Sequence, residues 1–163
     1  MLKPVLTRKI KLTCMLFTFC ISTVIPTVAN AEATPIFGDV TINRKFSPDP
    51  LTVKGMSGGS IPANEVGVKG ETPTGRCNGF VDAKPDHTLV LESKFDYLKV
   101  QVESPADTTI IIKGPGGTWC NDDFKGKNPG IVGEWLKGKY EIWVGSYEKG
   151  KYLPYTLKIT EIK

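Results

Sequence analysis

Histidine and cysteine are scarce in this 163-residue chain. It has one histidine, His87, and four cysteines, and no two cysteines form a C-x-x-C motif. A structural zinc site needs several closely spaced cysteine or histidine ligands, so this composition argues against one. Any catalytic mechanism that needs a histidine base would have to use His87.

A long uncharged apolar run occurs only near the N-terminus, within residues 1–31. Four basic residues between Lys3 and Lys11 precede an uncharged stretch of 17 residues, and Ala29-Asn30-Ala31 ends the segment. This order of basic, apolar and small residues predicts a secretory signal peptide that is cleaved after Ala31. A membrane anchor is the alternative, although the run is short for a membrane span and contains Pro26.

An excess of basic charge is missing from the rest of the chain. The net charge of +4 lies entirely in the first 31 residues, and residues 32–163 hold 17 basic and 17 acidic side chains. These charges are interspersed and form no basic stripe that could follow a phosphate backbone. We therefore expect no nucleic-acid binding, and no membrane span once the signal is removed.

Two cysteines remain after the predicted cleavage, Cys77 and Cys120. An exported protein with two cysteines is expected to join them in one disulfide, because oxidising compartments favour the bond. Two buried free thiols are the alternative. The predicted location is secreted or periplasmic.

The rest of the sequence reads as strands separated by turns. Segments rich in Val, Ile, Thr and Tyr occur at 87–92, 97–104, 108–114, 140–147 and 155–162. Several alternate with a period of two, and Pro, Gly, Asn and Asp separate them. No helical pattern intervenes, so we predict an all-β fold with one domain, an antiparallel, jelly-roll-like β-sandwich.

Residues 32–75 are less regular and contain many prolines and glycines. We interpret them as an N-terminal extension that supplies edge strands, in TPIFGDVTI, PLTVKG and NEVGVKG. A flexible leader is the alternative.

Residues 76–163 resemble the bacterial pre-peptidase C-terminal domain, a jelly-roll-like β-sandwich found in secreted proteases and other exported proteins. The resemblance is carried by DHTLVL (86–91), LKVQVESPADTTIIIKGPGG (98–117), CNDD (120–123), NPGI (128–131), GKYEIWVGSY (138–147) and YTLKITE (155–161). It implies a non-catalytic accessory module.

The acidic and amide residues around the NDD loop are candidates for a calcium site. The five candidate ligands are Asp107, Asn121, Asp122, Asp123 and Asn128. Calcium binds six to eight oxygens from carboxylates, amides, backbone and water, and loops supply such sets. The alternative is a plain polar loop, because Asp and Asn also favour turns by bonding to their own backbone.

The segment Gly55-Met56-Ser57-Gly58-Gly59 matches the G-x-S-x-G pattern of serine hydrolases. Such a serine needs a strand-to-helix turn and a nearby histidine. Pro62 soon follows, and only His87 could serve as the base. We therefore rank a hydrolase last and interpret the segment as a glycine loop.

Two aromatic side chains are candidate ligand contacts. In YEIWVGSY, Tyr140, Ile142 and Val144 share one face, so Trp143 and Tyr147 lie on the other. Outward aromatic rings can stack on sugars or dock peptides. The alternative is that the N-terminal segment covers Trp143.

The sequence thus predicts a secreted, non-catalytic binding or accessory module, with calcium as its one candidate cofactor. The expected partner is a protein or a cell-envelope polysaccharide. An extracellular inhibitor of a lysozyme or a protease is the alternative function.

Overall fold

The computed structural model describes residues 37–163, so the predicted signal peptide lies outside the described residues. Thirteen strands and one short helix form this part of the chain. They are β1 (Val40–Ile42), β2 (Leu51–Ser57), β3 (Ile61–Pro62), α1 (Ala63–Val66), β4 (Glu71–Thr72), β5 (Gly75–Arg76), β6 (Phe80–Val81), β7 (His87–Leu91), β8 (Phe95–Glu103), β9 (Thr108–Gly114), β10 (Gly117–Asn121), β11 (Gly130–Trp135), β12 (Gly138–Ser146) and β13 (Leu153–Thr160).

The larger sheet has seven strands and is built around β12. On one side β12 pairs with β9, which continues to β10; on the other it pairs with β7 and, at its far end, with β6. β1 extends the sheet beyond β7 in a parallel pairing, and β3 extends it beyond β6. The strands β9 and β10 form a hairpin whose turn is Pro115-Gly116.

The smaller sheet has four antiparallel strands in the order β11-β8-β13-β2. The short strands β4 and β5 form a separate two-stranded hairpin. β10 and β11 therefore lie at sheet edges, since each pairs along its length with only one strand in the described part of the chain.

The two main sheets enclose one apolar core, which arises from the alternation along each strand. Leu98, Val100 and Val102 on β8 face Ile142 and Val144 on β12, all fully buried, within a single cluster to which both sheets contribute. Burying such side chains stabilises the fold by roughly 1.5–3 kcal/mol each. The predicted all-β sandwich is confirmed.

A second, smaller apolar cluster lies on the outer face of the larger sheet. Ala63 of α1, Val81 and the disulfide between Cys77 and Cys120 pack there against Trp143. The two sulfurs are bonded, and the Cα atoms are 5.0 Å apart. The predicted disulfide is thus confirmed, and the segment that contains α1 covers this face.

The N-terminal part of the described chain is integral to the sandwich. β2 pairs with β13 over seven residues, and β1 pairs with β7. The prediction of edge strands in TPIFGDVTI and PLTVKG agrees with this pairing. The prediction was wrong for NEVGVKG, because Ala63–Val66 forms a short helix there. Among residues 37–163, no helix has the length and apolar character needed to span a membrane.

Candidate functional site

The residues proposed as calcium ligands are engaged in hydrogen bonds that tie loops together. Asn121 Oδ1 accepts a hydrogen bond from the Gly130 backbone N–H at 3.0 Å, and Asn128 Oδ1 accepts from the Ser104 N–H at 3.1 Å. Asp122 Oδ2 accepts from the Asn78 amide at 2.8 Å. Two amide oxygens and one carboxylate oxygen of the candidate ligands therefore already accept hydrogen bonds within the protein.

The carboxylates of this region do not form a cage. Asp107 lies 3.8 Å from Lys127 Nζ, and Asp123 is exposed. Within residues 37–163, no three Asp, Glu, His or Cys side chains are grouped so that they could hold a metal ion. The three candidate carboxylates are therefore not grouped around one point. Asn121 closes the loop between β10 and β11 by accepting from Gly130, while Asn128 ties this loop to Ser104 and Asp122 ties it to Asn78.

Ser57 and His87 do not form a catalytic pair. Ser57 is fully buried, and its hydroxyl donates to the Leu153 carbonyl at 3.1 Å. A Cβ at Gly55 would overlap the Tyr155 ring, and one at Gly59 would overlap the backbone of Val81. Close packing therefore accounts for both outer glycines of the G-x-S-x-G match.

His87 is a buried structural side chain. Its Nδ1 lies 3.0 Å from the Gly38 carbonyl, and because a carbonyl only accepts, Nδ1 carries the proton. Its Nε2 then accepts from the Tyr155 hydroxyl at 2.7 Å. Burial lowers the pKa of His87 and so favours this neutral form. The ring links the start of the described chain to β13.

The two aromatic residues predicted as ligand contacts have different surroundings. Trp143 is 5% exposed because the disulfide and the segment around α1 cover it, so the prediction that it contacts a ligand does not fit. Lys113 Nζ lies 5.4 Å from the centre of its ring. Tyr147 is 53% exposed and remains available. The structure does not join the two into one surface.

An aromatic cleft lies between the sheet edges β10 and β11. It has a volume of about 360 Å³. Its walls include the rings of Trp119, Trp135 and Tyr140, and Leu136 stands at its mouth with 49% of its surface exposed. The ring centres of Trp119 and Trp135 are 6.4 Å apart, and those of Trp135 and Tyr140 are 5.0 Å apart.

Local sequence explains why this space is open. Ile131 and Trp135 on β11 point into the core, and Gly133 between them has no side chain. A Cβ at Gly133 would meet no heavy atom within 4 Å, so the glycine leaves room beside the rings. A register shift between Gly133 and Trp135 also interrupts the pairing of β11 with β8.

Neither Trp119 nor Trp135 was among the candidate residues, so the sequence did not predict the cleft. The two residues belong to edge strands of different sheets, and no local pattern predicts that these edges adjoin. The one usable signal was the alternation in GIVGEW, where a glycine occupies a position that should be apolar and inward.

Comparison with known proteins identifies a relative. An uncharacterized protein from Synechococcus elongatus is 33% identical over 110 residues, which are 68% of this chain and 75% of the relative. The chain belongs to the family of that protein. No protein-family profile matches the chain.

Two solved structures share part of the fold. The pre-peptidase C-terminal domain of a collagenase from Bacillus anthracis has a TM-score of 0.44 and 15% identity, covering 75% of this chain and 94% of that domain. Aeromonas hydrophila PliG, a periplasmic lysozyme inhibitor of g-type lysozyme, has a TM-score of 0.40 and 17% identity, covering 75% of this chain and 96% of that one. The collagenase domain is a pre-peptidase C-terminal domain, the kind of domain that residues 76–163 resemble in sequence. The similarity to both solved structures concerns the fold alone.

Proposed function

We propose that the protein is an exported, non-catalytic binding module whose ligand site is the cleft between β10 and β11. The observation that carries this proposal is the cleft itself, a concave space lined by three aromatic rings in a protein of this size. Ligand sites are typically concave and mostly apolar, with a few placed polar groups. The expected ligand is a protein or a polysaccharide of the cell envelope.

Export is supported by the disulfide. The bond between Cys77 and Cys120 is buried in the second apolar cluster, and such bonds persist in oxidising compartments such as the periplasm or the medium. A non-catalytic role is supported by the surroundings of Ser57, whose hydroxyl is held by a backbone carbonyl and not by a histidine.

A binding assay with two matched variants tests the proposal. The full chain, produced in an exporting bacterial host and purified as that host processes it, is mixed with separate protein and polysaccharide fractions of a bacterial envelope. Leu136→Ser and Tyr147→Ser each remove an apolar side chain that is about half exposed. We expect Leu136→Ser to reduce retention and Tyr147→Ser to leave it unchanged.

The opposite result would locate the ligand elsewhere. If Tyr147→Ser reduces retention and Leu136→Ser does not, the loop between β12 and β13 binds the ligand and the cleft does not. Retention that neither variant changes would also contradict the cleft as the site.

A further inference from the structure

The backbone of Val132 faces the cleft without a partner. In an antiparallel pair, the N–H and C=O of alternate residues point toward the neighbouring strand, and those between them point away. The Pro129 carbonyl accepts from the Val102 N–H at 3.0 Å, so Pro129, Ile131 and Gly133 face β8. Val132 therefore directs its N–H and C=O away from β8, where no described residue hydrogen-bonds to them.

The facing edge of β10 is covered at one end and open at the other. The Cys120 N–H donates to Thr72 Oγ1 at 3.1 Å, and Thr74 Oγ1 donates to the Cys120 carbonyl at 2.8 Å. Thr118 lies two residues earlier, so its N–H and C=O point to the same side, and residues 37–163 offer them no partner. The edge of β10 is therefore covered by Thr72 and Thr74 at Cys120 and is open at Thr118.

The polar side chains around the cleft are mostly engaged within the protein. Trp135 Nε1 donates to the Leu98 carbonyl, and the Tyr140 hydroxyl donates to the Leu136 carbonyl. Glu134 pairs with Lys94 at 2.9 Å, and Thr74 bonds to Cys120 as described. Apart from the Trp119 indole N–H and the exposed Glu134 carboxylate, the free hydrogen-bonding groups of the described residues that line the cleft belong to the backbone.

The size of the cleft also restricts its ligand. Ligand pockets range over roughly 300–1,000 Å³, so about 360 Å³ lies at the small end of that range. Such a space holds one bulky apolar side chain better than several sugar rings. A ligand that satisfies the free backbone of an edge strand is itself a strand.

We propose that the cleft binds an extended peptide segment, which pairs with the free edge of β11 at Val132 and places one bulky apolar side chain against Trp119 and Leu136. This inference rests on the proposed function, because it specifies the ligand of the same cleft. The peptide is a segment of another protein, and a second copy of this chain is an alternative that the experiment separates.

The test uses a phage-displayed library of random linear dodecapeptides, panned on the full chain. We expect selected peptides to share one bulky apolar residue. Val132→Pro removes the outward N–H and breaks no bond to β8, and proline is tolerated on edge strands. Val132→Thr keeps the N–H and is the matched control.

The affinity of a selected peptide for the Val132→Pro variant should be about tenfold weaker, which corresponds to roughly 1.4 kcal/mol, or one hydrogen bond. Val132→Thr should bind the peptide with an affinity within about twofold of the unchanged protein, because threonine keeps the backbone N–H that proline lacks. Methylating one backbone nitrogen of the peptide should weaken binding similarly, and this measurement does not depend on how well the proline variant folds.

Several results would overturn the inference. Equal affinity for Val132→Pro and Val132→Thr, together with no effect of methylation at any position, excludes strand addition. Failure of the library to yield a peptide, while Leu136→Ser still reduces retention of an envelope fraction, rejects the peptide but keeps the cleft as the site. A dimer of the unchanged protein that Val132→Pro dissociates, seen by sedimentation, would assign the edge to a second copy.

Discussion

At the scale of single residues, contacts between distant parts of the chain decide what each side chain does. Ser57 looks like a nucleophile in sequence, but β13 holds its hydroxyl. Trp143 looks like an exposed ring on a strand, but residues near α1 and the disulfide bury it. Alternation predicts which face of a strand a side chain occupies, and it does not predict whether another segment covers that face.

Asp86 is the residue for which the structure makes the clearest pH prediction. Burial raises its pKa from 3.8 to about 7, while its Oδ2 accepts the Val144 N–H at 2.7 Å. At a pH between these two pKa values, the Asp86 carboxyl is ionised in the unfolded chain and protonated in the folded protein. The free energy of unfolding therefore contains a contribution that falls as the pH rises from about 4 to about 7.

Asp86→Asn should remove this contribution and keep the acceptor for Val144. We expect the melting temperature of the variant to exceed that of the unchanged protein at pH 8, and the difference to disappear or reverse at pH 4. Thermal unfolding across this range measures it. Asp82→Asn, which removes a nearby charge that also raises the pKa of Asp86, should give a smaller change in the same direction. A difference that is independent of pH would contradict the raised pKa.

At the scale of elements, the long strands were predictable and the short ones were not. β8, β9, β12 and β13 begin and end within two residues of the predicted bounds. β8 and β13 alternate over part of their length, whereas β9 and β12 contain runs of consecutive buried residues and are recognisable from their β-branched and aromatic residues. β3, β4, β5 and β6 have two residues each, too few for a period to be visible. Tertiary contacts, such as the bonds from Thr72 and Thr74 to β10, hold some of these short elements in place.

The disulfide joins a connecting segment to a strand, and its removal should destabilise the protein. It links Cys77, in the segment after β5, to Cys120 in β10 across a sequence separation of 43 residues. In the chain-entropy account, such a link stabilises the folded state by about 4 kcal/mol. We expect the Cys77→Ala/Cys120→Ala double variant to lose about that much in urea-induced unfolding.

A matched measurement separates the covalent link from the packing of the sulfur atoms. The unchanged protein in reducing agent keeps both sulfurs but not the bond, so it should lose most of the same stability. If reduction has no effect while the double variant is destabilised, packing in the second apolar cluster, and not the cross-link, provides the stability.

At the scale of the whole molecule, the fold class followed from the sequence and the binding site did not. Strand-forming segments separated by turns are enough to predict a sandwich, because the alternation of apolar and polar residues within a strand indicates which of its faces is buried. The cleft depends on how the edges of two sheets meet. The relevant residues, Trp119 and Trp135, are in different sheets and share no strand pairing.

The effect of calcium on the melting temperature is a property of the whole protein, and the hydrogen bonds of the loop between β10 and β11 allow it to be predicted. Because the amide oxygens of Asn121 and Asn128 already accept backbone hydrogen bonds, we expect millimolar calcium to leave the melting temperature unchanged relative to chelator. An ion that binds only the folded state raises the melting temperature. A clear rise in melting temperature with calcium, absent with magnesium, would contradict this expectation and support a calcium site.

The parallel pairing of β1 with β7 has a consequence for the order of folding. β1 is synthesised long before β7, and β7 is itself held by β12, which comes later still. The pairings that close the larger sheet therefore join distant parts of the chain, and such topologies fold slowly. Among residues 37–163, β1 is the first strand to be synthesised, and its partner β7 is held on its other side only after β12 has followed.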